Sequence, residues 1–278
     1  MRSMHFGAAL ATYPTSETDC ASSTYGVTIS IADLGMSGAP TLGMKQALSS
    51  FGGRGSSRSR QSRTITCTAR LVGRDADDVR DKLRAFNYLL DTVGGEKSLR
   101  FDDFDPDVFS MVFSGEGQVP AAKLGQLIYE FELSFVAPDP RSYSRTEKSL
   151  SFMLDSSPKT ITVEASGTAV GANAQTDPVW VLTNGTGGAV ANVTLNNTTI
   201  GTSITVALEL ADTDKLRLDR PRWITERQVS GVGAWGSAQS AVDATGIPPA
   251  LLPLVENSVT VTGIDSGTLT VTYRERYL

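Results

Sequence analysis

The spacing of hydrophobic and polar positions changes along the chain, and each change predicts an element. Over Tyr25 to Ile31, Val27, Ile29 and Ile31 alternate with polar residues, the two-residue period of a half-buried strand. Thr64 to Val72 repeats the pattern with Ile65, Cys67, Ala69 and Leu71. From Asp75 to Val93 the period lengthens: Val79, Leu83, Phe86, Leu90 and Val93 recur at three- and four-residue spacing and predict an amphipathic helix. Asp75 is its expected N-cap with Asp78 at the reciprocal position, and Gly94-Gly95 its expected stop. Leu99-Arg100-Phe101 and Phe109 to Phe113 read as strands joined by an acidic turn. In Leu127 to Val136, Tyr129, Phe131, Leu133 and Phe135 point one way and Glu130, Glu132 and Ser134 the other. The first half therefore reads as a sheet with one wet face packed against a single helix.

The second half is nearly all strand. Ile161 to Val163, Val179 to Leu182, Val190 to Leu195, Ser203 to Leu208, Lys215 to Leu218, Val259 to Thr262 and Thr268 to Tyr273 alternate or carry β-branched residues. Short turns such as 183–188 separate them, which argues for an antiparallel sandwich. Arg222 to Glu256 is too long for a hairpin turn and reads as an excursion over the sandwich surface. The halves meet near residues 137 to 158, where Pro138, Pro140 and the polar run Ser142 to Lys148 read as strand end and linker. A length of 278 residues suits two domains, placed at 1–145 and 146–278.

Composition narrows the function more than it widens it. The net charge is −5 and 40% of residues are hydrophobic, so bulk charge does not point to nucleic-acid binding. No apolar stretch approaches a membrane span, and the patch Phe6 to Ala11 is too short for a secretory signal. One histidine, His5, in a terminus expected to fray, leaves no His base, His pair or His-rich metal site. Cys20 and Cys67 cannot build a zinc site alone, and Cys67 falls on the apolar side of its strand like a small buried hydrophobe. No catalytic residue, cofactor site or metal site is expected.

Several motifs invite chemistry and lose it on inspection. Gly231-Val-Gly233-Ala-Trp-Gly236 fits the dinucleotide fingerprint formally, but strands rather than a helix follow it. Asp103, Asp105 and Asp107 resemble a calcium loop that lacks its glycine (Val108) and its glutamate (Ser114). Asn184, Asn192 and Asn197 fit the glycosylation pattern and read simply as Thr-rich strands and turns. Two features keep their interest. The glycine-rich, polar connection Gly35 to Arg63 ends in a flexible basic segment with Arg54, Arg58, Arg60 and Arg63, either a solvated loop or an arm ordered on a neighbouring subunit or near DNA. Trp223 and Trp235, in the surface excursion, could pack locally, plug a partner interface or stack on a sugar ring.

Taken in order, these segments resemble the distal tail proteins of long, flexible-tailed phages (siphophages). Gly53-Arg54-Gly55 leading into Arg63-Thr-Ile-Thr-Cys67 is similar to that family's glycine-arginine loop entering a strand. The helix follows, then Leu99-Arg-Phe101-Asp102 and Asp105-Pro-Asp107 before Phe109, and Phe131 to Phe135 running into Ala137-Pro-Asp-Pro140 and Tyr143. Asn257 to Val261 and Thr270 to Leu278 resemble the family's last hairpin, with Glu256 where glycine often stands. The resemblance implies a mostly β chain: a tail-tube-like, sandwich- or barrel-like belt domain with one packed helix, then a galectin-like antiparallel β-sandwich. It implies a structural, non-enzymatic role: six copies closing a ring between the tail tube and the tip hub. The lumen would pass tape-measure protein and then DNA, without specific DNA binding. The place implied is the distal end of the tail in the virion, after synthesis in the host cytoplasm, with no membrane insertion. Arg54, Arg58, Arg60 and Arg63 would then line a subunit interface or the channel. The competing reading is a glycan-binding, lectin-like host-adhesion module using Trp223 or Trp235, and a hydrolase with a carboxylate pair ranks below it.

Overall fold

The computed structural model describes residues 4–7, 17–33, 40–46, 53–60, 62–93, 95–102, 107–114, 119–123, 126–164, 175–243 and 246–277, with the backbone alone at 31–33, 40–46 and 53–60. The chain forms two compact units, Met1–Arg145 and Thr146–Tyr277. The chain is mostly antiparallel β-structure.

The N-terminal unit runs β1 (Met4–Phe6), β2 (Thr18–Asp19), β3 (Val27–Asp33), β4 (Pro40–Gln46), β5 (Gly53–Arg60), β6 (Arg63–Val72), α1 (Ala76–Leu89), β7 (Lys97–Phe101), β8 (Val108–Ser114) and β9 (Ile128–Ala137). β6 lies between β3 and β9, with Val27 opposite Leu71, Cys67 opposite Leu133 and Ile65 opposite Phe135. β2, β1, β7 and β8 follow one another in a second run. β8 joins the two runs: its residues 110–112 pair with β7, and Phe113 and Ser114 pair with β9. The two runs fold over a common core in which Met4, Phe6, Leu99 and Val112 meet Ile29, Cys67, Leu71, Leu133 and Phe135. The Phe6 and Phe135 rings lie 5.7 Å apart. This is a sandwich- or barrel-like arrangement, as the resemblance implies.

The helix covers part of that core. Val79, Leu83, Phe86 and Leu90 are buried, and Phe86 meets Phe131 edge-on at 6.2 Å. Asp75 caps it by accepting from the Asp78 N–H at 2.8 Å, while the Asp78 carboxylate reaches one residue further back, to the Arg74 N–H. The stop comes earlier than the glycines: the helix ends at Leu89, and Val93 is 93% exposed, off the buried face. His5 is not frayed, because β1 is hydrogen-bonded between β2 and β7.

The polar run read as a linker is instead the first part of a 13-residue strand, β10 (Ser142–Leu154). Its start pairs with β8 through Tyr143 and Ser144, and only its later part shows apolar alternation, at Leu150, Phe152 and Leu154. The C-terminal unit continues with β11 (Lys159–Glu164), β12 (Val179–Asn184), β13 (Val193–Asn197), β14 (Thr202–Val206), β15 (Lys215–Asp219), β16 (Ile224–Gln228), β17 (Gly236–Ser237), β18 (Glu256–Thr262) and β19 (Gly267–Tyr277). One sheet has the order β17-β16-β15-β12-β19-β10, the other β11-β18-β13-β14. Trp180, Leu182, Leu216, Leu218, Leu269 and Val271 from the first meet Val163, Val193, Leu195, Ile204, Val259 and Val261 from the second in one core. That is face-to-face sheet packing, with every other residue inward. The excursion from Arg222 is thus partly sheet: β16 adds a strand to β15, β17 pairs with β16 in turn, and the segment beyond returns to bond β14 through Asp243 and Ile247.

Gly73, between β6 and α1, sets how closely strand and helix approach, since a Cβ there would stand 2.3 Å from Val79 Cγ2. Gly73→Ala is expected to destabilise the N-terminal unit by about 1–3 kcal/mol in urea unfolding, the usual effect of overpacking. An unchanged midpoint would show that α1 shifts freely on the sheet.

Candidate functional site

The basic segment folds as a strand rather than a loop. Among the described residues β5 pairs with β4 alone, with Arg60 opposite Pro40, Arg58 opposite Leu42 and Arg54 opposite Lys45, across a register shift at Gly43/Met44. The period-2 hydrophobic signal misses it because β5 is Gly-Arg-Gly-Ser-Ser-Arg-Ser-Arg, without an apolar residue. Arg54, Arg58 and Arg60 thus share one strand of a two-stranded arm.

Arg63 is separated from them. It opens β6, and its guanidinium turns into its own unit, donating to the hydroxyls of Ser110 and Ser142. Burial pushes its pKa down, and the carboxylate of Asp139 opposes the shift. Asp139 is itself held below the usual carboxylate range: burial works against its ionisation, but Arg141 and the Tyr143 hydroxyl outweigh that.

The two tryptophans lie beside arginines of the C-terminal unit. The Trp223 ring stacks at 5.4 Å from the Arg220 guanidinium, and the Trp235 ring at 5.6 Å from that of Arg217. Trp223 is 59% exposed and takes a positive φ of 57°, a backbone conformation that bulky residues rarely adopt. Arg220 donates to Asp177 at 2.7 Å and to the Pro248 carbonyl. The buried Asp219 carboxylate accepts from both Arg217, at 3.1 Å, and Arg222, at 2.7 Å. The indole of the third tryptophan, Trp180, is in the core and donates to the Pro249 carbonyl at 2.9 Å.

The remaining motifs resolve structurally. Gly231 to Gly236 runs from a single 3-10 turn into β17, without the strand–turn–helix setting that binds a dinucleotide. Asn184 and Asn197 are buried, their amides spent on backbone carbonyls, which leaves no room for a glycan on either. Of the acidic turn, residues 103–106 lie outside the described residues. Cys20 and Cys67 are free, buried thiols; burial, reinforced by Glu132, pushes Cys67 up to about 12, and burial raises Cys20 as well.

Two polar clusters carry no simple sequence signal. In the first, Arg100 donates to Glu17 at 3.1 Å and to Asp102, while His5 Nε2 lies 2.8 Å from Asp102. Burial opposes ionisation of Asp102, but His5 and Arg100 hold its carboxyl below its ordinary value. The second is Asp214, fully buried, which accepts from the N–H groups of Ala211 and Ser230 and from Arg227. Arg100 stands between Leu99 and Phe101, and a charged residue inside an apolar strand is the only hint the sequence offers of the first cluster.

No protein-family model matches the chain, and no curated protein matches it in sequence. Solved structures do resemble it. The Dit protein of phage SPP1, described as a paradigm of the hub adsorption apparatus in phages infecting Gram-positive hosts, superposes with a TM-score of 0.68 at 14% identity, covering 100% of both chains. The baseplate of phage P2, in its activated conformation with calcium and with strontium, contains chains that superpose with a TM-score of 0.56 at 8% and 9% identity, covering 98% of each. The likeness spans both units, so the chain has the fold of phage Dit and baseplate proteins.

Asp214 predicts a pH dependence. Burial disfavours its charge, but Ser230, Arg227 and Ala211 overcome that and lower its folded pKa. A lowered folded pKa adds stability that is complete above the unfolded value, about 4, and is lost as pH falls through the folded value. Asp214→Asn is therefore expected to lose about 1–3 kcal/mol at pH 7 and to show a shallower loss than wild type on acidification. Equal acid slopes in denaturant titrations at neutral and acid pH would remove Asp214 from that account.

Proposed function

We propose that this chain is a distal tail protein of a siphophage, a structural component of the tail tip that closes with copies of itself into a ring. The observation that carries the reading is the end-to-end likeness to SPP1 Dit, over two units rather than one. In this reading the unit Met1–Arg145 is the ring-forming belt and the unit Thr146–Tyr277 the galectin-like sandwich, in a hexamer that joins tail tube to tip hub. The ring surrounds a lumen for tape-measure protein and then DNA, and the protein acts in the virion, after synthesis in the host cytoplasm, by fit rather than by catalysis.

The arm gives the reading a physical handle. A lone two-stranded ribbon is marginal in water, and the β4–β5 pair offers Leu42 and Met44 as its only large apolar residues. Such an arm gains its stability from a surface it lies against. A ring built by rotation needs two different complementary faces on every subunit, and an arm that reaches a neighbour supplies one of them. Arg54, Arg58 and Arg60 suit pairing with acidic residues next door.

Class-averaged negative-stain images of the purified protein are expected to show rings with a sixfold outline and a central hole. Changing Arg54, Arg58 and Arg60 together to Ser should abolish the rings and leave the unfolding midpoint of the subunit unchanged. Arg63→Ser should do the reverse, lowering stability by about 1–3 kcal/mol through loss of the guanidinium's bonds to Ser110 and Ser142, which keep only their bond to each other. Rings that persist in the triple variant would remove the arm from the interface, and a strictly monomeric protein that fails to enter tails would overturn the ring itself.

A further inference from the structure

We infer that the strip from Trp223 to Trp235 is a binding site for a neutral oligosaccharide, a role separate from ring assembly. The turn after β15 holds Trp223 at a positive φ, a conformation that glycine would adopt without strain, and yet presents an exposed indole there. The ring is pinned from beneath. Arg220 stacks under it and is fixed in turn by Asp177 and the Pro248 carbonyl, so the platform is already ordered before any ligand arrives. Preorganisation of this kind reduces the entropy lost on binding.

The groups beside the platform continue it toward a second ring. Arg222 and Arg217 both donate to Asp219, and Arg217 carries Trp235 on its guanidinium. The strip therefore reads Trp223, Arg222, Asp219, Arg217, Trp235, with an aromatic at each end and hydrogen-bonding groups between. A guanidinium has five N–H donors, and Arg222, 54% exposed with two of them on Asp219, keeps others for ligand oxygens.

The chemistry of the strip selects its occupant. A pyranose has one apolar face of C–H groups, which stacks on an indole, and a rim of hydroxyls, which accept from guanidinium N–H groups. Charge gives a polyanion or an acidic peptide little advantage, since every arginine already has an acidic partner: Arg220 shares Asp177 with Arg276, Arg222 shares Asp219 with Arg217, and Arg217 also meets Glu226. Two separated rings with polar groups between them also lack the continuous apolar centre of a protein interface.

The test titrates the full-length protein with neutral hexasaccharides of glucose, galactose and N-acetylglucosamine, by ligand-observed NMR and calorimetry. A sulfated hexasaccharide and an acidic peptide serve as comparisons. Saturable binding of at least one neutral sugar, with Kd between about 10 μM and 1 mM and little dependence on salt, is the expected result. Trp223→Gly removes the ring and suits the local backbone, so the variant should fold, keep its rings under the microscope and bind at least about tenfold more weakly. Arg222→Gln and Trp235→Ala should each weaken binding as well. Absence of saturable binding to all three sugars up to about 10 mM, or affinity unchanged by Trp223→Gly, would overturn the site. Stronger, salt-sensitive binding of the sulfated sugar or the peptide would also overturn it, in favour of an anionic partner.

Discussion

An antiparallel sheet with one apolar face has to have that face covered, and both units of this chain are solutions to that requirement. In the N-terminal unit the covering comes from the chain's own sheet, turned over at β8, and from α1. In the C-terminal unit a four-stranded sheet lies over the larger one, and Trp180 fills the space between. Exposed Trp223 and the outward residues of β6 and β9 lie outside these two cores.

Long connections on such a scaffold are fixed by buried polar groups. Asn184 donates to the carbonyls of Gly188, Leu210 and Ala211, and so ties two turns together. Asn197 and Asn257 bond each other and the 250–255 segment. Asp214 fixes the turn at Ser230, and Asp177 joins Arg220 to Arg276 of the last strand. Each is a group whose desolvation is tolerable only when it is fully bonded, so each specifies one loop geometry and penalises the others. The exposed position of Trp223 follows from such a chain of bonds, through Arg220, rather than from apolar packing.

What the sequence made legible is what packs. Tyr129, Leu133 and Phe135 alternate with glutamates, and Val79, Leu83 and Phe86 recur at helical spacing, so β9 and α1 can be read directly. The signal fails where burial is absent or polar. β5 and the first part of β10 have no apolar face to betray them. Val93 keeps the helical spacing after the helix has ended, because periodicity cannot see where hydrogen bonding stops. Of the basic residues, Arg63 differs from Arg54, Arg58 and Arg60 only in what folds around it: serine hydroxyls from β8 and β10, far away in sequence. The stacking of Trp235 on Arg217 depends in the same way on the fold, whereas Trp223 meets Arg220 within one turn of chain.

The same reasoning explains how a fold can match over its whole length while 14% of residues are identical. Alternation asks only that inward positions be apolar and of fitting size, and many sequences satisfy it. The surfaces of such a fold are then set by other demands. The polar arm is informative for that reason: eight residues from Gly53 to Arg60 form a strand without a single large apolar residue. A strand of that composition contributes little to the stability of an isolated subunit. In the ring proposed above, a neighbouring copy is a surface within reach of such a strand.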